Sequence, residues 1–168
     1  MKIDKKTNTI KTLSKEEFDK LSKSEKQIAV AKDVLDRIKF NQLKPTTGKF
    51  CTFETPFKVE PNSQLKPIIN VPTNTCTVCA KGGLFMSFIG IVNEYKIESA
   101  IFCSGEKITS PEMKALTKIF TKKQLALIET AFEGNYYDWN VNLTDKEINK
   151  CEAFYYKHYK GEVSRGLF

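Results

Sequence analysis

The stretch "TCTVCAKGGLFMSFIG", residues 75 to 90, decides how the rest of the chain is read. Two cysteines three apart open it, a glycine pair follows, and an almost unbroken apolar run completes it. Continued through "IVNEY", it reads as one long, mostly buried helix capped by Thr75. Positions 76, 79/80, 83/84 and 87 then share a helical face of small groups, Cys, Cys/Ala, Gly/Leu and Ser, against which another helix can pack closely. A glycine costs a helix interior roughly 1 kcal/mol relative to alanine. Gly82 and Gly83 side by side therefore predict close approach by a neighbouring element.

Three chemistries compete for Cys76 and Cys79. A zinc knuckle of the C-x2-C type needs two further ligands, and no second C-x2-C occurs. Cys51 and Cys103 could converge on it only through the fold. Cys151 and His158, the sole histidine, sit on one helix about 10 Å apart along its axis, too far to share a metal. A redox dithiol is the second reading, because a thiol at a helix start after a short strand gains thiolate stabilisation. The surrounding chain, however, lacks the alternating strands and helices of a thioredoxin-like sheet. The third reading, favoured here, is that both thiols pack inside as small hydrophobes. The chain has five cysteines, an odd number that excludes a fully paired disulfide framework within one chain.

On either side of this stretch, helix starts are written as capping boxes, in which a Ser or Thr is followed three residues on by Glu or Gln. Ser14 with Glu17 predicts a short helix from about Lys15 to Leu21. Ser24 with Gln27 predicts a second, in which Ile28, Ala31, Leu35 and Ile38 repeat at helical spacing as far as Phe40. Ser110-Pro111-Glu112 starts another, with Pro at the first helical position. Thr121 with Gln124 opens a helix whose Leu125, Ile128 and Phe132 line one face and which Gly134 ends. Thr144 with Glu147 opens the last, expected to stop at Gly161. Leu84, Phe85, Phe88, Leu125, Ile128 and Phe132 are the predicted core.

Between residues 41 and 74, Pro45, Pro56, Pro61, Pro67 and Pro72 exclude a long helix. "KFCTF" (49–53) and "IINV" (68–71) fit short strands, and "AIFC" (100–103) a strand or helix end. The expected fold is α+β: a helix-dominated single domain with about five helices and a small sheet of short strands. Residues 1–23 form a basic N-terminal arm and short helix. Residues 24–168 form the globular helical domain, with a Pro-rich strand and loop segment at 41–74.

A chain of 168 residues, 40% hydrophobic and 28% charged, has the makeup of one soluble domain. The longest apolar run, Leu84 to Val92, is about half of the ~20 residues a membrane-spanning helix needs. The lysine-rich start does not resemble a signal peptide, so a cytoplasmic protein without membrane contact is expected. The net charge is +7, and residues 1 to 50 carry +6 of it, with 13 Lys/Arg against 7 Asp/Glu. Such asymmetry points to an anionic partner, nucleic acid first. Base edges are read chiefly by arginine, and Arg37 and Arg165 are the only arginines, so contact is expected to be non-specific. The lysines expected to make it are Lys2, Lys5, Lys6 and Lys11 in the arm and Lys157 and Lys160 in "FYYKHYKG" (154–161), where aromatics could stack on bases. No phosphate-cradling glycine loop occurs, since "TGKF" at 47–50 lacks the spacing, and His158 has no nearby Ser or Cys nucleophile in sequence.

The pattern C-x-V-C-A-x-G-x-L-F-x-S at 76–87, with "FTKKQLALIETAFEG" (120–134) and "IAVAKDVLDRI" (28–38), resembles small accessory proteins of bacterial phages and mobile elements. Those proteins typically carry Ala where Gly83 stands here. Among them are anti-defence factors, including anti-CRISPR inhibitors of RNA-targeting effector nucleases. The resemblance implies a non-enzymatic inhibitor without a cofactor, acting in the host cytoplasm on a defence effector protein or ribonucleoprotein. It carries over no functional residue. The competing expectation is a small cytosolic zinc or dithiol module, or an enzyme, built on Cys76 and Cys79.

Overall fold

The computed structural model describes residues 13–48, 50–53, 76–92, 114, 116–134 and 141–163. It is an α+β fold dominated by helices, in one domain, and the described residues form five helices and a three-stranded sheet. The helices are α1 (Lys15–Asp19), α2 (Lys23–Lys39), α3 (Ala80–Val92), α4 (Lys122–Glu133) and α5 (Asp145–Val163). The strands are β1 (Leu43–Pro45), β2 (Cys51–Phe53) and β3 (Cys76–Val78).

Capping boxes set four of the five helix starts. Ser14 with Glu17 and Thr121 with Gln124 form the predicted reciprocal bonds. Thr144 does the same with Glu147: its N–H donates to Glu147 Oε2 at 3.0 Å, and Glu147 N donates back to Thr144 Oγ1 at 3.3 Å. The start of α2 differs from the sequence expectation. Its cap is Ser22, whose N–H donates to Glu25 Oε2 at 2.8 Å, and not Ser24 with Gln27. Gln27 is used elsewhere, donating from Nε2 to Ile119 O at 3.0 Å and to Gln124 Oε1 at 3.1 Å. This ties α2 to the cap of α4.

At its other end α2 stops in a Schellman arrangement. Asn41 takes a left-handed φ of 57°, Asn41 N donates to Ile38 O, and Gln42 N donates to Arg37 O. The reversal delivers the chain straight into β1. Gly134 ends α4 with φ 73°, as expected. Gly161 does not end α5, which runs on to Val163; glycine weakens a helix interior but stops it only where the chain must turn left-handed.

The sheet order is β1-β3-β2, with β1 parallel and β2 antiparallel to β3. The strand β2 lies where "KFCTF" was expected. The strand β3 overturns an expectation: Cys76 belongs to a strand, and the helix starts only at Ala80. Cys76 therefore does not extend the small-residue face of α3. Three residues cannot form a stable strand alone, and β3 holds because it is paired on both edges. The expected strands at 68–71 and 100–103 and the helix start at 110–112 lie outside the described residues.

From Lys81 to Val92 every residue of α3 is buried. Phe18 of α1 packs against Phe88 with ring centroids 6.2 Å apart, and Phe50 against Phe85 at 5.7 Å. Leu84, Phe85, Phe88 and Leu125 are core residues as predicted, whereas Ile128 and Phe132 are only partly buried at its margin. The face of α2 turned inward carries Val30, Asp33 and Arg37, with Arg37 Nε donating to Asp33 Oδ2 at 2.6 Å. The apolar stripe read from the sequence is split, with Ile28 67% and Leu35 66% exposed while Ile38 and the neighbouring Val34 pack against the core.

Candidate nucleic-acid interface and buried charge cluster

The last helix is two-sided. Its half-buried residues Ile148, Cys151 and Tyr155 fall at helical spacing toward α4. Cys151 Sγ donates to Leu127 O at 3.5 Å, and the Tyr155 ring lies where any side chain added at Gly134 would go. The opposite face is exposed and carries Lys146, Lys150, Ala153, Phe154 and Lys157. Phe154 is 50% exposed and stacks on His158 with centroids 4.4 Å apart, while Tyr156 is 56% exposed. Lysines four and seven residues apart share one side of a helix, so Lys146, Lys150 and Lys157 form a row on the side of α5 that also carries Phe154. Cys151 is half-buried against α4 and His158 is exposed two turns further along, so the two potential ligands that share this helix stay about 10 Å apart along its axis.

Of the contact residues expected from the sequence, Lys157 is in this array and Lys160 continues the same helix. Lys2, Lys5, Lys6 and Lys11 lie outside the described residues. Lys146 and Lys150 were missed. They sit four apart, two turns and one turn upstream of Phe154, and that spacing was the available signal.

The start of α5 is held by charge as well as by its cap. Glu147 is drawn down to about 2 by the hydrogen bond from Lys123 first and by the backbone and hydroxyl of Thr144 next; the Lys123 Nζ–Glu147 Oε1 distance is 2.8 Å. A folded-state value below the ordinary 4.5 means that this support is complete above about pH 4.5 and is lost as the pH falls toward 2. Amide shifts of Thr144 to Ile148 followed by NMR are expected to move in that window. Glu147→Gln, which keeps the cap but not the ion pair, should flatten the titration; an unaltered curve in that variant would assign it to other groups.

The thiols occupy separate places. Cys76 and Cys51 are both 1% exposed, with their Sγ atoms 2.9 Å apart. Cys79 precedes α3 as its cap, its Sγ accepting from Gly82 N at 3.5 Å. Burial nevertheless pushes the Cys79 thiol above its ordinary value, outweighing the Gly82 N–H. This is the reverse of an activated cysteine, whose thiolate must be favoured. Among the described residues no group of three or more His, Cys, Asp or Glu is arranged to hold a metal ion. Nor, among them, is any helix long and apolar enough to cross a membrane.

Beside Cys79 lies a buried charge cluster that the sequence reading did not anticipate. Lys81 is buried in the first turn of α3 and ion-paired with Glu129 of α4. One helical turn on, Glu133 accepts from Gly48 N at 2.8 Å. Desolvation lowers the Lys81 ammonium from its usual range against the pull of Glu129, and raises the Glu133 carboxyl. The sequence signal was a lone lysine in "CAKGGLFMSFIG", with no acid within helical reach. The cluster ties the β1–β2 loop, α3 and α4 together.

No family model, curated protein or solved structure matches this chain.

Proposed function

We propose that the protein is a non-enzymatic binding protein whose α5 surface engages a single-stranded or flexible stretch of nucleic acid within a larger complex. One observation carries the reading: Lys146, Lys150 and Lys157 share an exposed helix face with the half-exposed, stacked Phe154 and His158. Ammonium groups track a phosphate backbone, and exposed aromatics offer stacking platforms that tolerate any base. No arginine lies on that face, so the contact is of the positioning kind rather than base-edge readout. The partner class proposed is a host nucleic-acid-guided defence ribonucleoprotein in the cytoplasm, inhibited stoichiometrically. That choice rests on the resemblance of residues 28–38, 76–87 and 120–134 to phage accessory proteins.

The test is binding of a fluorescent single-stranded RNA across a salt series, by anisotropy. Each lost phosphate contact lowers the salt slope by about 0.7 for single strands, so a variant with Lys146, Lys150 and Lys157 all changed to Glu is expected to lose roughly 2 in slope. Phe154→Ala is expected to cost about 1–3 kcal/mol of affinity, one stacked base, with the slope unchanged. Equal slopes and affinities in the wild type and the triple variant, with helicity intact by circular dichroism, would remove α5 as the interface.

A further inference from the structure

The exposed face of α2 has the pattern of a two-stranded helical seam. Leu21, Ser24, Ile28, Ala31, Leu35 and Ile38 follow one another at alternating steps of three and four, as a and d positions do in a coiled coil. Ile28 and Leu35 are 67% and 66% exposed, Ala31 between them is exposed, and Leu21 and Ile38 at the ends are half-buried. Two large aliphatic side chains held in water by a well-capped helix, one turn either side of a small residue, form a surface that a second helix can cover.

The flanking charges select the occupant. On one flank stand Glu25, Lys32 and Lys39, each exposed and seven residues from the next. On the other flank Gln27 is spent on Ile119 and Gln124, and Val34 packs against the core. A parallel partner would set the first flank against the second and find no charge to pair. An antiparallel second copy sets the first flank against itself. With Ile28 over the partner's Ala31 and Leu35 over its Ser24, Glu25 of each copy meets Lys32 of the other. Two-fold symmetry then makes both ion pairs at once.

We infer that this chain self-associates as an antiparallel dimer through the Ile28–Ala31–Leu35 face of α2, with Glu25 and Lys32 pairing across the two-fold axis. The buried patch is small, which places the dimer among weak, reversible associations. Two molecules of charge +7 repel at long range. Salt screens that repulsion more than it screens contacts a few ångströms apart, so the dimer is expected to persist or strengthen as salt is raised. The opposite trend is expected for nucleic-acid binding, which keeps the two readings distinguishable.

Sedimentation velocity of the full chain, over a concentration series at low and physiological salt, tests the inference. The expected result is a weight-average mass that rises toward twice the monomer with concentration. Ile28→Glu with Leu35→Glu, both at exposed positions that spare the fold, should hold the chain monomeric. Lys32→Glu sets like charges across the axis and should weaken association by about tenfold. Adding Glu25→Gln, which keeps the Ser22 capping box, should recover part of that loss. A wild type monomeric at every concentration overturns the proposal, as does association indifferent to the Ile28 and Leu35 changes. Failure of Glu25→Gln to recover any of the Lys32→Glu loss overturns it too, because the pairing that orients the two helices would then be wrong.

Discussion

Replacing Gly82 by Ala is expected to break the packing of α3 against the sheet. A Cβ at this position would lie 1.6 Å from the Phe50 carbonyl oxygen and 2.7 Å from its carbon. The obstacle is backbone, not the movable end of a side chain. Phe50 in turn leads directly into β2 and packs its ring on Phe85. For the methyl group to fit, either the first turn of α3 or the start of β2 must shift, and β2 is paired with β3, which enters the same helix. Overpacking of cores commonly costs 1–3 kcal/mol; here a destabilisation of at least about 3 kcal/mol is expected, because no rotamer change relieves it. The adjacent Gly83 supplies the control. Its added Cβ would meet Val34 Cγ1 at 3.4 Å, an ordinary contact, and alanine regains roughly 1 kcal/mol of helix propensity. Thermal unfolding should therefore show Gly83→Ala near neutral or stabilised and Gly82→Ala sharply destabilised. Similar melting temperatures for the two would mean that α3 and Phe50 are not so closely apposed.

This contrast marks what the sequence could and could not disclose. A glycine pair in an apolar run signalled close approach, but which of the two meets backbone depends on Phe50, more than thirty positions away. Local devices were the legible part. Ser14–Glu17, Thr121–Gln124 and Thr144–Glu147 act within four residues, so their pattern alone predicts their bonds. Where two tetrads competed, Ser22–Glu25 prevailed over Ser24–Gln27, and the reason is distant: Gln27 is the residue that reaches Ile119 and Gln124.

The strand β3 was read as helix because "CTV" has no period of its own and is a strand only through the pairing of β1 and β2 on either side. Which face of α2 meets the core was not legible for a related reason. Periodicity locates an apolar stripe but does not say which side the core is on. Asp33 and Arg37, spaced four apart, have the look of a surface ion pair, yet they are buried at 3% and 1% exposure while Ile28 and Leu35 stay in solvent. On α5 the aromatic and basic residues were legible as a patch, and the structure adds the face they share.

The largest electrostatic effect is expected at Lys81 and Glu129. Both are buried, the lysine at 3% exposure, and Lys81 sits in the first helical turn of α3, where the helix dipole already disfavours a cation. What keeps Lys81 charged there is Glu129, against a desolvation that lowers its proton affinity. Changing Lys81 alone to Met keeps most of the apolar stem but leaves Glu129 buried without its counter-charge, and breaking a buried pair in this way costs about 3–5 kcal/mol. Changing Glu129 alone to Leu strands the ammonium and should cost a similar amount. The double variant, Lys81→Met with Glu129→Leu, removes both desolvation penalties, and pairs so replaced are often neutral or up to a few kcal/mol more stable. The expected signature in urea unfolding is strong non-additivity: two large single losses and a double variant close to wild type. Additive losses would show that Lys81 and Glu129 act through other partners. A stable double variant would establish that the cluster secures α3 against α4 by matched charge, and that the same junction can be built from apolar packing alone.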